Sequence, residues 1–317
     1  MSDTSLRTLA DRHLRTVLLL GAAVAVLLFL QANSPVFFQS RNLMNVLVQA
    51  SMLAILALGM TVVMLAGGID LSLPANMALS AILGSMAMIA TESVALGCLV
   101  MLACGAAIGA FNGFAVARLQ MIPFVVTLAM MTMAGGFSVW LTGSVSVSAQ
   151  PERFFDIFLS RPFGLPLALL IAAVAVIVVQ AVIGLTRFGW QVYAVGTNPR
   201  AARISRVPVG RVLFLTYVIS GLMAGLAAIV VTARLGSASA NVGNDSVILD
   251  VVTACVIGGV SIYGGIGRPL GAVIGALMVV VLGNVFNLLG VSFFISLMVK
   301  GGIIIALVAL DTRLRGA

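Results

Sequence analysis

The chain is 317 residues long and carries 17 Lys+Arg against 9 Asp+Glu, so charged residues make up 8% of it; soluble domains carry about 25%. Hydrophobic residues reach 62% and the mean hydropathy is +1.22, which excludes a soluble enzyme, a nucleic-acid binder and a disordered chain. The formal net charge of +8 and the pI of about 10.7 therefore describe the loops of an integral membrane protein.

An N-terminal arm, residues 1–15, precedes ten apolar runs: 16–32, 43–66, 72–90, 94–116, 122–142, 164–186, 212–232, 251–266, 270–289 and 291–310. About 20 apolar residues cross a bilayer as a helix. The runs lack the alternation of an outer-membrane barrel, and several are too long for barrel strands. The expectation is an all-α integral membrane protein, one transmembrane domain over 1–317 with about ten helices. The run at 16–32 follows three arginines, as a signal peptide would, but the charge distribution favours keeping it as a span.

Alternating ten spans places Arg7, Arg12, Arg15, Arg118, Arg187, Arg200, Arg203, Arg206, Arg211, Arg268, Arg313 and Arg315 on one side, against Arg41, Arg153, Arg161 and Arg234 on the other. Basic residues collect in cytoplasmic loops, so both termini are expected to be cytoplasmic. The 143–163 loop is then external.

Three places break the apolar pattern. Residues 65–74, LAGGIDLSLP, put Gly67, Gly68 and Asp70 between two long runs. A carboxylate in a span costs about 2.5–3.5 kcal/mol on insertion scales, so Asp70 marks either a gating or structural break, or a turn that caps the next helix from water. Residues 187–211 hold five arginines and no acid. Within them Asn198 can cap, Pro199 suits a first turn, and Ala201 and Ala202 favour helix. A stiff basic helix there would make a docking element. Glycine clusters at 258–259, 264–267 and 301–302 favour close helix packing. Asn76, Asn112, Thr127, Asn284 and Asn287 lie in spans, where each either lines a solute pathway or makes an interhelical hydrogen bond.

Other chemistries find little support. Cys98, Cys104 and Cys255 lie in apolar runs without CxxC spacing, and His13 is the only histidine, so no metal set is indicated. There is no GxxxxGK[ST] motif, and Lys300 is the only lysine. Nucleotide would have to be bound elsewhere.

Several blocks resemble a known family. GGIDLS at 67–72, NGFAVARLQMIPFVVTLAMM at 112–131, the AVGTNPRAARISRV loop, LDVVTACVIGGVSIYGGIGRPLGAVIGAL at 249–277 and the late LLGVS are similar, in this order, to permease subunits of ribose-type ABC sugar importers. The resemblance spans roughly residues 42–310. It implies a multi-pass protein of the bacterial inner membrane that translocates a ribose-like monosaccharide or polyol. It also implies a separate ABC ATPase that binds ATP and Mg, a periplasmic sugar-binding protein, and a second permease copy, identical or similar. The chain itself would hold no cofactor and perform no catalysis. Gly196, Asn198, Ala201 and Ala202 match the family's coupling loop, and Arg200, Arg203 and Arg206 supply its charge. Two positions depart from the pattern: Leu73-Pro74 follow GGIDLS where a small residue and glycine are usual, and Arg206 stands where glycine is usual. The alternative is an ion-coupled secondary transporter of a small neutral solute, with Asp70 or Asp250 as the coupling acid.

Overall fold

The computed structural model describes residues 35–243 and 245–316. The arm at 1–15 and the expected span at 16–32 lie outside the described residues. The helices are α1 (Ser40–Leu65), α2 (Leu73–Thr91), α3 (Val94–Ala117), α4 (Pro123–Thr142), α5 (Glu152–Phe158), α6 (Leu167–Leu185), α7 (Arg187–Thr197), α8 (Pro199–Ile204), α9 (Val209–Leu235), α10 (Asp245–Ile257), α11 (Pro269–Leu288) and α12 (Phe293–Gly316). Proline opens α4, α8 and α11 and sits in the first turn of α2, where a missing N–H costs nothing. Gly143 and Gly236 close α4 and α9 in the left-handed conformation.

Among the described residues, eight segments are long and apolar enough to cross a membrane, and Phe293–Ala306 is a shorter apolar helix. The protein is an all-helical integral membrane protein, as its composition required. One expected span differs. The run at 251–266 is not continuous helix, because α10 stops at Ile257 and Gly259, Gly264, Gly265 and Gly267 follow at positive φ. Its hydropathy is that of a span, but from Gly258 on its backbone is that of a loop. The 143–163 loop contains α5, seated by the fully buried Phe154, and is tied to residue 238 by a two-way backbone bridge between Val147 and Ala238.

α1 and α9 run antiparallel through the centre, with Gly59 against Ser220 and Met223. Each packs on a pair from the opposite half: α9 on α2 and α3, α1 on α10 and α11. The closest seam joins α3 and α9 through glycines one turn apart. A methyl group at Gly105 would strike the Gly221 carbonyl, one at Gly109 the Tyr217 carbonyl, and one at Gly221 the Gly105 carbonyl. In a bilayer, where lipid is as apolar as leucine, such backbone proximity is what holds helices together.

The bundle has two distinct rims. One gathers the end of α1, the 117–123 turn and the 195–210 segment around a shared cavity. The other gathers Met44 and Asn45 with Phe158, Arg161, Pro166 and Arg234. Seven of the arginines expected on one side (Arg118, Arg187, Arg200, Arg203, Arg206, Arg211 and Arg268) fall at or beside the first rim. Arg41, Arg153, Arg161 and Arg234 fall at the second, interleaved with Glu92, Glu152 and Asp156.

Gly221→Val should lower the melting temperature of the detergent-purified chain by the equivalent of at least 1–3 kcal/mol, roughly the range for overpacking. Gly135→Ala and Gly136→Ala, where nothing lies within 4 Å of the added carbon, should leave it unchanged.

Candidate functional site

The turn between α1 and α2 carries backbone into the bundle without helical hydrogen bonds. It begins with Gly67 and Gly68, whose N–H groups donate to Met64 and Val63 carbonyls at 2.9 and 3.0 Å. Gly67 holds φ +82°, and a Cβ at Gly68 would lie 2.7 Å from the Tyr217 hydroxyl. The Ile69 carbonyl then accepts from Thr127 Oγ1 at 3.3 Å and Tyr217 Oη at 3.4 Å. Buried backbone outside a helix must be satisfied by protein or water, and here α4 and α9 satisfy the Ile69 carbonyl.

Asp70 is fully buried. Its Oδ1 accepts from the Ser72 N–H at 3.1 Å and the Ser72 hydroxyl at 2.6 Å, and its Oδ2 accepts from the Ser220 hydroxyl at 2.7 Å. Asn112 Nδ2 donates to Ser72 Oγ at 2.8 Å, bringing α3 into the network. Ser72 precedes the first residue of α2, so the carboxyl group also lies near the positive end of that helix. Asp70 therefore holds the turn that leads into α2 from inside the protein, through the backbone and hydroxyl of Ser72. Its partners are Ser72 of the same turn, Ser220 of α9 and, through Ser72, Asn112 of α3. Leu73 is fully buried, and Pro74 starts the helix against Gly243, where a side chain would collide with the Pro74 carbonyl.

The basic segment folds as two helices in sequence. Thr186 Oγ1 accepts from the Gly189 N–H to start α7, and Asn198 Oδ1 accepts from the Arg200 and Ala201 N–H groups, both at 3.0 Å, to start α8. Gly196 is wedged against the Leu65 carbonyl and the Gly265 N–H, which themselves form a 3.0 Å hydrogen bond. Tyr193 Oη donates to the Gly267 carbonyl at 2.8 Å. Ala202 is buried, whereas Arg200, Arg203 and Arg206 are exposed and Ile204 is 84% exposed. Arg206 has φ +60°, which explains why glycine suits that position. Between this segment and the ends of α1, α3 and α9 lies a cavity of about 810 Å³, lined by Gly67, Gly68, Gln120, Arg200, Arg203 and Tyr217 among others.

Three separate sequence blocks therefore meet: the GGIDLS turn, the basic segment at Gly196, and the SIYGGIG loop. The meeting point was not visible beforehand, because Gly264 and Gly265 were expected to pack helices and instead shape a loop. Their left-handed backbone and the absence of room for a side chain are the reason. Tyr193, Tyr217 and Ser220 also went unnoticed, since single polar residues in apolar runs give no sequence signal of their own.

The other polar candidates are dispersed. Asn76 Nδ2 donates to the Gly105 carbonyl at 3.1 Å, joining α2 to α3. Asn284 and Asn42 exchange amide hydrogen bonds at 2.9 and 3.0 Å, joining α11 to α1. Asn287 is exposed near the end of α11. Gly301 and Gly302 in α12 have nothing within 4 Å of an added methyl group.

Asp70→Ala should destabilise the chain by about 1–3 kcal/mol for each donor left unpaired, read as a lower melting temperature in detergent. Arg206→Gly should raise stability by up to about 1 kcal/mol, measured the same way.

Residues 42–308 match the family described as branched-chain amino acid transport system / permease component. The chain is 36% identical over 296 residues to the ribose import permease protein RbsC of Escherichia coli (strain K12), covering 92% of each chain. It is 37% identical over 296 residues to the ribose import permease protein RbsC of Bacillus subtilis (strain 168), covering 93% of this chain and 91% of the relative. It is 34% identical over 317 aligned positions to the galactose/methyl galactoside import permease protein MglC of E. coli (strain K12), covering 92% and 94%. No solved structure matches the chain. With the match running from the start of α1 into α12, across the buried turn and the basic segment alike, the chain belongs to this family of ABC transporter permeases.

Proposed function

We propose that the chain is the membrane-spanning subunit of an importer that carries a ribose-like monosaccharide or related polyol across the bacterial inner membrane, driven by ATP hydrolysis in a separate subunit. The observation that carries this reading is the seating of the basic segment. α7 and α8 present Arg200, Arg203 and Arg206 outward while Gly196 locks their backs onto the α1–α2 turn and the 258–268 loop. A push on the exposed face is then delivered to two turns at once, without slack between backbone atoms. Similarity to ribose and galactoside import permeases supports the solute class.

In this reading an ABC ATPase holding ATP and Mg docks on the arginine-bearing rim, which is cytoplasmic. A periplasmic sugar-binding protein meets the opposite rim, and a second permease, identical or similar, completes the pathway. The ion-coupled alternative needs a titrating acid in the membrane. Asp250 is instead paired with Lys300, and Asp70 is enclosed by three donors.

Reconstituted in liposomes, the chain should take up labelled D-ribose or D-galactose only when the ATPase, the binding protein and ATP are all present. Uptake by the chain alone, driven by an ion gradient, would overturn the proposal. The double variant Arg200→Glu with Arg203→Glu should insert and melt normally yet lose ATPase association on the order of tenfold or more, since reversing a charge turns attraction into repulsion. Undiminished association would remove the coupling role from α8.

A further inference from the structure

Asp250 of α10 and Lys300 of α12 form the one ion pair among the described residues, with Lys300 Nζ 2.7 Å from Asp250 Oδ1. Both lie in apolar stretches, yet neither is sealed: 25% of the Asp250 side chain and 12% of the Lys300 side chain remain open. The main neighbours of α12 are α10 and α11, so much of its circumference lies bare in the isolated chain. Charged groups in spans face the bundle interior or a water-filled cavity, because acyl chains solvate neither ion. The open edge of this pair therefore faces water or protein.

A second observation points the same way. α10 is the longer part of one of the eight candidate spans, Ala240–Ile257. The 3-10 turn Ala240–Gly243 opens that span, and Gly243 packs on Pro74 and Ala78 of α2. Asp250 lies five residues past the start of α10, near the middle of this span.

The chemistry of the pair suits a neutral polyhydroxylated solute. An ammonium has three donors and a carboxylate about four acceptor sites, so the mutual contact leaves capacity on both. Vicinal hydroxyls can donate to one and accept from the other without either charge losing its partner. Such a site binds weakly, which passage demands: favourable enough to enter, loose enough to leave.

Building on the importer function proposed above, we propose that the Asp250–Lys300 pair lines the solute route and takes adjacent hydroxyls of a neutral sugar or polyol, Asp250 accepting from one and Lys300 donating to the next. Two arms test it in the full chain. The first needs no transport: with Cys98, Cys104 and Cys255 replaced by alanine, Asp250→Cys combined with Lys300→Met is exposed in liposomes to a charged, membrane-impermeant methanethiosulfonate. The thiol should react, because the route is aqueous. The second uses the complex with ATPase and binding protein. Asp250→Asn combined with Lys300→Met, which removes both charges and strands neither, should assemble normally but lose D-ribose uptake on the order of tenfold, as for a lost polar contact. It should also narrow the discrimination between D-ribose and 2-deoxy-D-ribose.

Uptake and discrimination equal to wild type in that double variant would overturn the proposal and leave the pair as a tether for α12. An unreactive thiol would overturn it too, and lost association between permease copies would then assign the face to their interface. If wild-type complex imports no sugar, the importer function fails on its own, while the thiol arm still decides whether the pair meets water.

Discussion

Buried backbone that leaves the helix must find its hydrogen bonds within the protein, and the α1–α2 turn is where this constraint presses hardest. Two glycines allow the turn. Thr127 and Tyr217 take up the Ile69 carbonyl, and Asp70 gathers donors from Ser72 and Ser220. A buried carboxylate without a cation would ordinarily be a heavy cost. Here it is offset by three hydrogen bonds and by the end of α2. Because the partners come from three different helices, satisfying one turn also fixes how α3, α4 and α9 sit against it.

The same turn receives the basic segment. Gly196 and Gly265 both approach within reach of the Leu65 carbonyl, and no side chain fits at either. Contacts between backbones are stiff in a way contacts between long side chains are not. A segment seated in this manner transmits displacement instead of absorbing it. The close glycine seam between α3 and α9 extends that stiffness into the span that begins directly after α8.

Much of this was legible beforehand. Low charge and long apolar runs required a helical membrane protein, because no other structure satisfies the backbone in lipid at those lengths. Asn198-Pro199 announced a helix start, and the structure has one there with the expected side-chain cap. The run at 251–266 was misleading for a physical reason: hydropathy reports how apolar residues are, and a glycine-rich loop that tucks in Val260 and Ser261 while exposing Tyr263 and Ile266 reads the same as a helix. Arg206 was noticed as unusual, but its left-handed backbone could be seen only once α8 had been closed by the Ala202 carbonyl accepting from Val207.

The sequence by itself determined the solvent, the helical class, the segregation of arginines and the family, since each depends on composition or on order along the chain. Tertiary structure alone decided that Asp70 is enclosed instead of capping from water, that three glycine-bearing blocks converge, and that Asp250 and Lys300 pair across α10 and α12. Those facts depend on groups from distant stretches arriving at one point, 150 residues apart for Asp70 and Ser220. A string of apolar residues with occasional polar ones leaves many such meetings open. Packing selects among them, because in lipid a polar group without a partner has no water to fall back on.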